Sequence, residues 1–336
     1  MCAILWDMMR LSFSCLLGLA LVGCGSNGGN GFDGGSDDSG NGDAGMFDLD
    51  SSIKPGDASP SDGGGGPAVI YAHTDDQLYV MDPTTKAVTL IGPFDDGSAN
   101  APTVTDLAVN QAGDVWVNTI NTIYKANVPQ TPGKVTITKV VAINVKTNQR
   151  FYAMGFTPPN VLGSGEMLVA GDSLGDLYAI DGQGQTTQLG SFGSAGGGAV
   201  YGLSGDIMFY VQNGKTRGLA TVRPYMNGNA TVTTNDVLVE VDVPAMQTAF
   251  MTKTPGQLRK QLLGGGTGFG RLYGIGAWND SVYAFARLGS NNVPAQLIQI
   301  GANGVGKSLQ SFPNITLGWS GAGVTTNAPV TVLPPN

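Results

Sequence analysis

A strand ending in an acidic or turn residue recurs five times in this 336-residue chain, and a chain that repeats one supersecondary unit must stack its copies side by side. The copies are Leu78-Tyr79-Val80-Met81-Asp82, Ile123-Tyr124-Lys125-Ala126-Asn127, Leu177-Tyr178-Ala179-Ile180-Asp181, Leu238-Val239-Glu240-Val241-Asp242 and Leu297-Ile298-Gln299-Ile300-Gly301, spaced by 45, 54, 61 and 59 residues. Each is followed by a polar turn and another strand. Asp82-Pro83-Thr84-Thr85-Lys86 before Val88-Thr89-Leu90-Ile91-Gly92 is one such hairpin.

A second element alternates small and large residues: Thr105-Asp106-Leu107-Ala108, Tyr152-Ala153-Met154-Gly155, Tyr201-Gly202-Leu203-Ser204, Tyr273-Gly274-Ile275-Gly276 and Leu317-Gly318-Trp319-Ser320. Small residues on one side let backbones converge, as the innermost strands of radially arranged sheets must. Leu107, Met154, Leu203, Ile275 and Trp319 are then expected to pack between neighbouring sheets. The repeat region starts with three strands over about 69–94 and ends with a lone inner-strand copy at 316–324. The expectation is an all-β propeller of five blades over residues 67–326. Pairing of the C-terminal inner strand with the N-terminal strands would close its ring. Six blades would follow if the stretch 213–236 holds extra strands. Gly and Pro interrupt every candidate helix.

The blade pattern resembles the Leu-Tyr-x-Ile-Asp-x-x-Thr-Gly-x-x-Thr-x-Ile-Gly repeats of bacterial secreted propeller proteins over residues 68–326. That resemblance implies strand architecture and no activity, because propellers host binding modules and enzymes alike.

Upstream, Leu11 to Val22 is an apolar run far shorter than the roughly 20 residues that span a bilayer. It ends in Leu21-Val22-Gly23-Cys24, which resembles the lipobox of bacterial lipoproteins. The resemblance implies a signal peptide over 1–23, with translation starting at Met8 or Met9 as an alternative, and a palmitate-type lipid on Cys24. It also implies a place in the cell envelope, at the outer membrane because Gly25 and Ser26, rather than Asp, follow the cysteine. Cys2 and Cys15 would leave with the signal, so disulfides and cysteine-based metal sites are excluded from the folded part.

Residues 25–66, almost all Gly, Ser, Asp and Asn, cannot bury enough surface to offset ordering entropy and read as a tether with an r.m.s. span of about 35 Å. Of the net charge of −8, the tether carries −7, from eight Asp against Lys54. Residues 67–336 hold 15 basic and 16 acidic groups, which excludes the electrostatic footprint of a nucleic-acid binder. Residues 327–336 read as a C-terminal tail.

Gly301 to Ser308 matches the phosphate-loop pattern G-x-x-x-x-G-K-[ST], but Pro313 and Gly318 leave no helix to face a phosphate, and its place in the repeat is a hairpin turn. No nucleotide is expected. Catalytic groups are scarce, with one histidine, His73, and two glutamates after Cys24, Glu166 and Glu240. Loop order in a propeller puts His73, Asp75, Asp76, Asp95, Asp96 and Asp172 on one rim, with Asp106 at the start of an inner strand. Asp75, Asp76, Asp95 and Asp96 are candidate calcium ligands, although Asp also favours turns for local reasons. Arg217 and Arg223, in a region where seven basic residues outnumber three acidic ones, are candidates for an anion-binding patch, with Tyr225 as a stacking group. No cofactor is firmly implied.

The function class this favours is a lipid-anchored, non-enzymatic module that binds a protein or polysaccharide of the envelope. The competing class is a calcium-dependent, glycan-active enzyme using the Asp rim.

Overall fold

The computed structural model describes residues 69–334 apart from 101, 148, 227–228, 231–234 and 288–293, and gives backbone alone at 229–230. The signal segment, Cys24 and the tether lie outside the described residues.

Among the described residues, five four-stranded antiparallel meanders follow one another around a ring, and the fold is an all-β propeller. The first sheet runs outward in the order Gly321–Gly323, Ile70–His73, Gln77–Met81, Val88–Asp95. The second contains Asp106–Val109, Val115–Asn118, Thr122–Asn127 and Val135–Ala142. The third contains Phe151–Thr157, Met167–Asp172, Leu177–Ile180 and Thr186–Ser191. The fourth contains Ala199–Gln212, Lys215–Met226, Val237–Val241 and Arg259–Leu263, and the fifth Leu272–Trp278, Ser281–Ala286, Ala295–Ile300 and Gly306–Phe312. The stretch 213–236 thus supplies the long second strand of the fourth sheet, with Asn229–Ala230 paired to its end.

The five Leu-Tyr-type segments are the third strands of these sheets. The innermost strands pack in succession, 106–109 on 151–157, then 199–212, then 272–278, then 321–323, which returns to 106–109. Closure is the expected pairing of chain ends: Tyr71, Ala72 and His73 lie opposite Gly323, Ala322 and Gly321. Small residues stand where the inner strands approach closest. A Cβ on Gly155 would overlap the Ile207 carbonyl, and one on Gly274 the Ala322 amide.

Large residues fill the seams between sheets, as the alternation predicts. Met154 packs with Trp116, Phe151 and Leu168 between the second and third sheets, and Leu203 packs with Val169 and Leu177 between the third and fourth. At the closing seam the fully buried Trp319 meets Tyr79, Phe285 and Phe312 edge to face, at centroid distances of 5.0, 5.2 and 5.4 Å.

Three features depart from expectation. A helix, Val243–Thr252, interrupts the fourth sheet between its third and fourth strands. Asp242 caps it by accepting the Ala245 amide at 3.0 Å, and Lys253 ends it in a left-handed conformation. The closing inner strand begins at Gly321, so Leu317 to Ser320 form its approach. Finally, the tail packs on the body: Ala328, Val330, Val332 and Leu333 are buried. It runs across the face where the inner strands end. Thr325 bonds the Asn110 carbonyl (2.9 Å), Asn279 donates to the Pro329 carbonyl (2.8 Å), and Gln212 donates to that of Leu333 (2.7 Å). This cap leaves the ring axis accessible from the other face.

Candidate binding site at the mouth of the ring

At the face where the inner strands begin, a cavity of about 570 Å³ opens on the axis. Every sheet contributes to it through its innermost strand: Thr105 just before the second's, Tyr152 and Ala153 at the start of the third's, Leu203 to Gly205 at the irregular part of the fourth's, Tyr273 at the start of the fifth's and Ser320 just before the closing strand. Arg223, Tyr225, Arg271, Arg287, Asp75 and Asp172 form the walls.

Most wall charges are already paired. Arg287 holds Asp75 at 3.0 Å, and the Ser320 hydroxyl donates to the same carboxylate. Arg223 pairs with Asp236 at 2.8 Å. Burial pushes the Asp236 carboxyl up, while Arg223 and the Leu272 amide (2.8 Å) pull it back toward ionisation. Asp172 spends its oxygens on the Leu174 and Asp176 amides and on Gln149 (2.9, 3.1 and 3.3 Å). Tyr225 donates to the Leu203 carbonyl at 2.8 Å, and its ring lies against Gly175 and Gly202, so it serves as wall. Burial pushes its phenol up to about 12.

Below the floor lies a fully buried acid cluster. Asp106 accepts the Met154 amide at 2.6 Å; Asp206 accepts the Ile207 amide at 2.6 Å and the Ile275 amide at 2.8 Å. These bonds tie one inner strand to the next. Burial raises both carboxyls well above the usual range, and the neighbouring Asp206 charge raises Asp106 further, so the buried pair favours its protonated form. His73 donates from Nδ1 to the Thr74 carbonyl (2.7 Å), which leaves Nε2 as a bare lone pair 3.8 Å from Asp106 Oδ1. Burial lowers this imidazole to about 4, so it is neutral. A Cβ at Gly321 would overlap both Asp106 Oδ1 and His73 Nε2.

The anticipated site residues therefore divide into groups. Asp75, Asp172, Arg223 and Tyr225 come together in the walls, with His73 and Asp106 beneath. Asp76 accepts the Thr74 hydroxyl at 2.8 Å in the adjoining turn. Asp95 pairs with Lys134 at 2.8 Å, and Asp96 accepts the Ser98 amide at 2.9 Å, both away from the cavity. Among the described residues no group of three or more His, Cys, Asp or Glu converges as a metal site, so Asp75, Asp76, Asp95 and Asp96 do not form the calcium rim the sequence suggests.

Arg217 does not join Arg223. It is buried at the capped face, paired with Glu240 at 2.8 Å and donating to the Pro334 carbonyl at 2.6 Å. The two arginines share one strand six residues apart, about 20 Å at extended spacing, so the basic cluster of the sequence is not a patch in space. Gly301 to Ser308 is a hairpin turn whose Gly304 amide donates to the Gly301 carbonyl at 2.9 Å.

No family model and no curated protein matches this sequence. Among solved structures, the chain is similar to a protein of unknown function from Bacteroides caccae, at TM-score 0.40 and 9% identity, covering 77% of this chain and 98% of that one. It is similar to a chain of a nidogen/laminin complex, at TM-score 0.42 and 12% identity, covering 77% and 99%. It is also similar to an exo-β-1,3-galactanase from Phanerochaete chrysosporium, at TM-score 0.43 and 10% identity, covering 65% and 52%. Likeness of this degree bears on neither ligand nor chemistry.

Proposed function

We propose that this protein is a lipid-anchored binding module of the bacterial cell envelope, whose ring offers its mouth cavity to a polysaccharide or protein partner. Lipid on Cys24 anchors it, probed from sequence by the Leu21-Val22-Gly23-Cys24 motif, and residues 25–66 serve as the tether.

One observation carries the reading. The axial funnel is open at one end, and the chain joins the ring at the other. The strand Ile70–His73 runs antiparallel to the closing inner strand, with His73 beside the mouth, so Val69 enters at the capped face. The first described residue thus lies at the face opposite the cavity. Binding rather than catalysis fits the carboxylates: Asp75 and Asp172 are held by ion-pair and hydrogen-bond partners, while Asp106 and Asp206 are buried and bonded to backbone amides. A glycosidase needs two carboxyl groups flanking its substrate.

Two measurements test this. Cys24→Ala should convert a membrane-fraction protein into an unprocessed, unlipidated precursor; an unchanged membrane fraction and mature size would refute the anchor. A photo-crosslinking residue at Tyr152, on intact envelopes, should capture a cell-envelope macromolecule. Capture of none would refute the binding reading.

A further inference from the structure

We infer that the mouth recognises a carboxylate-bearing sugar, whose acid group pairs with Arg271 while its ring lies on Tyr152 and Tyr273. This rests on the proposal that the mouth is the binding site.

Arg271 is the wall cation without a fixed partner. Arg223 and Arg287 are committed to Asp236 and Asp75, whereas Arg271 is exposed on the rim with no ion pair among the described residues. Its backbone is left-handed, at φ 56°, a conformation that favours glycine and disfavours a long side chain. The surroundings enforce it: the Arg287 amide donates to the Arg271 carbonyl at 2.9 Å, and the next amide, of Leu272, donates to Asp236 at 2.8 Å. A disfavoured backbone held this firmly beside a cavity is the pattern of a residue kept for binding. A guanidinium presents a planar fork of donors that matches a carboxylate.

The rest of the mouth suits a saccharide. Tyr152 is 42% exposed and Tyr273 half-buried, each offering an apolar ring face and a polar tip. A closed-ended cavity of about 570 Å³ admits the end of a short oligosaccharide.

Titration of the full-length lipidated protein in detergent with trigalacturonate, its carboxyl-reduced neutral counterpart and a Glu-rich peptide tests this. The acidic sugar should bind, with the neutral sugar and the peptide at least tenfold weaker. Arg271→Gly should lose about tenfold to a hundredfold in affinity for the acidic sugar. The same substitution should raise Tm by about 2 °C, since glycine relieves the backbone. That rise also reports a folded variant. Equal binding of the neutral sugar, tighter binding of the peptide, or unchanged affinity in Arg271→Gly would overturn the inference. If no sugar binds while the Tyr152 crosslinker captures a protein, the acidic-sugar inference fails and the binding-module reading stands. If the crosslinker also captures nothing, both fail.

Discussion

Two buried titrating sites under the mouth act on stability with opposite signs. The Asp106 and Asp206 carboxyls are raised by burial, Asp106 further by the Asp206 charge, so the folded ring favours a protonated form that an unfolded chain, with a reference value of 3.8, has released. Their contribution is complete below about pH 4 and is lost as pH rises through the pair's own range. His73 is lowered from 6.5 to about 4, so the unfolded chain binds the extra proton between those values and stability falls as pH drops from about 6.5 to 4. A difference of that size corresponds to about 3 kcal/mol. Denaturant titrations across pH should show Asp106→Asn flattening the loss on the alkaline side and His73→Gln flattening the loss on the acid side. Profiles unchanged by both substitutions would contradict the assignment. Gly321 is fixed by the same contacts, and Gly321→Ala should cost about 1–3 kcal/mol through overlap with Asp106 and His73, read as a lowered denaturation midpoint. None of this is visible locally in the sequence. Asp206 sits in an ordinary Gly-Asp-Ile-Met run, and its partner is 100 residues away, so only ring closure joins them.

At the scale of elements, the closing seam depends on Trp319, buried against rings from the first and fifth sheets. Trp319→Ala should cost about 3–5 kcal/mol and lower Tm; a loss below 1 kcal/mol would show that the seam does not rely on it. The third strands were legible because apolar alternation followed by a turn residue specifies both a strand and its end, as in Leu177-Tyr178-Ala179-Ile180-Asp181. Inner strands were legible through their small residues. The helix after Asp242 was not, although Asp-Val-Pro is a helix start, because the same aspartate also closes the strand repeat. Site residues were the least legible. Tyr152 arrives from the third sheet, Arg271 and Arg287 from the fifth and Ser320 from the closing strand, and no local spacing relates the three groups. Arg217 and Arg223 seemed neighbours in sequence, but an extended strand carries them to opposite faces of the ring.

Across the whole molecule, a cap at one face, a cavity at the other and chain entry beside the cap give the ring a direction. The buried Ala328, Val330, Val332 and Leu333 predict that ending the chain after Val324 exposes the capped face and lowers Tm, as calorimetry would show; an unchanged Tm would mean the tail only decorates the ring. The central claim is that partners engage the mouth and not the capped face. The folded residues contain no cysteine, so single replacements at Tyr152 on the rim and at the exposed Lys215 near the cap report each face separately. Thiol-labelling rates should be compared between purified protein and intact envelopes. The account predicts that Tyr152→Cys is protected in envelopes while Lys215→Cys reacts equally in both; protection at Lys215→Cys with Tyr152→Cys left free would contradict it.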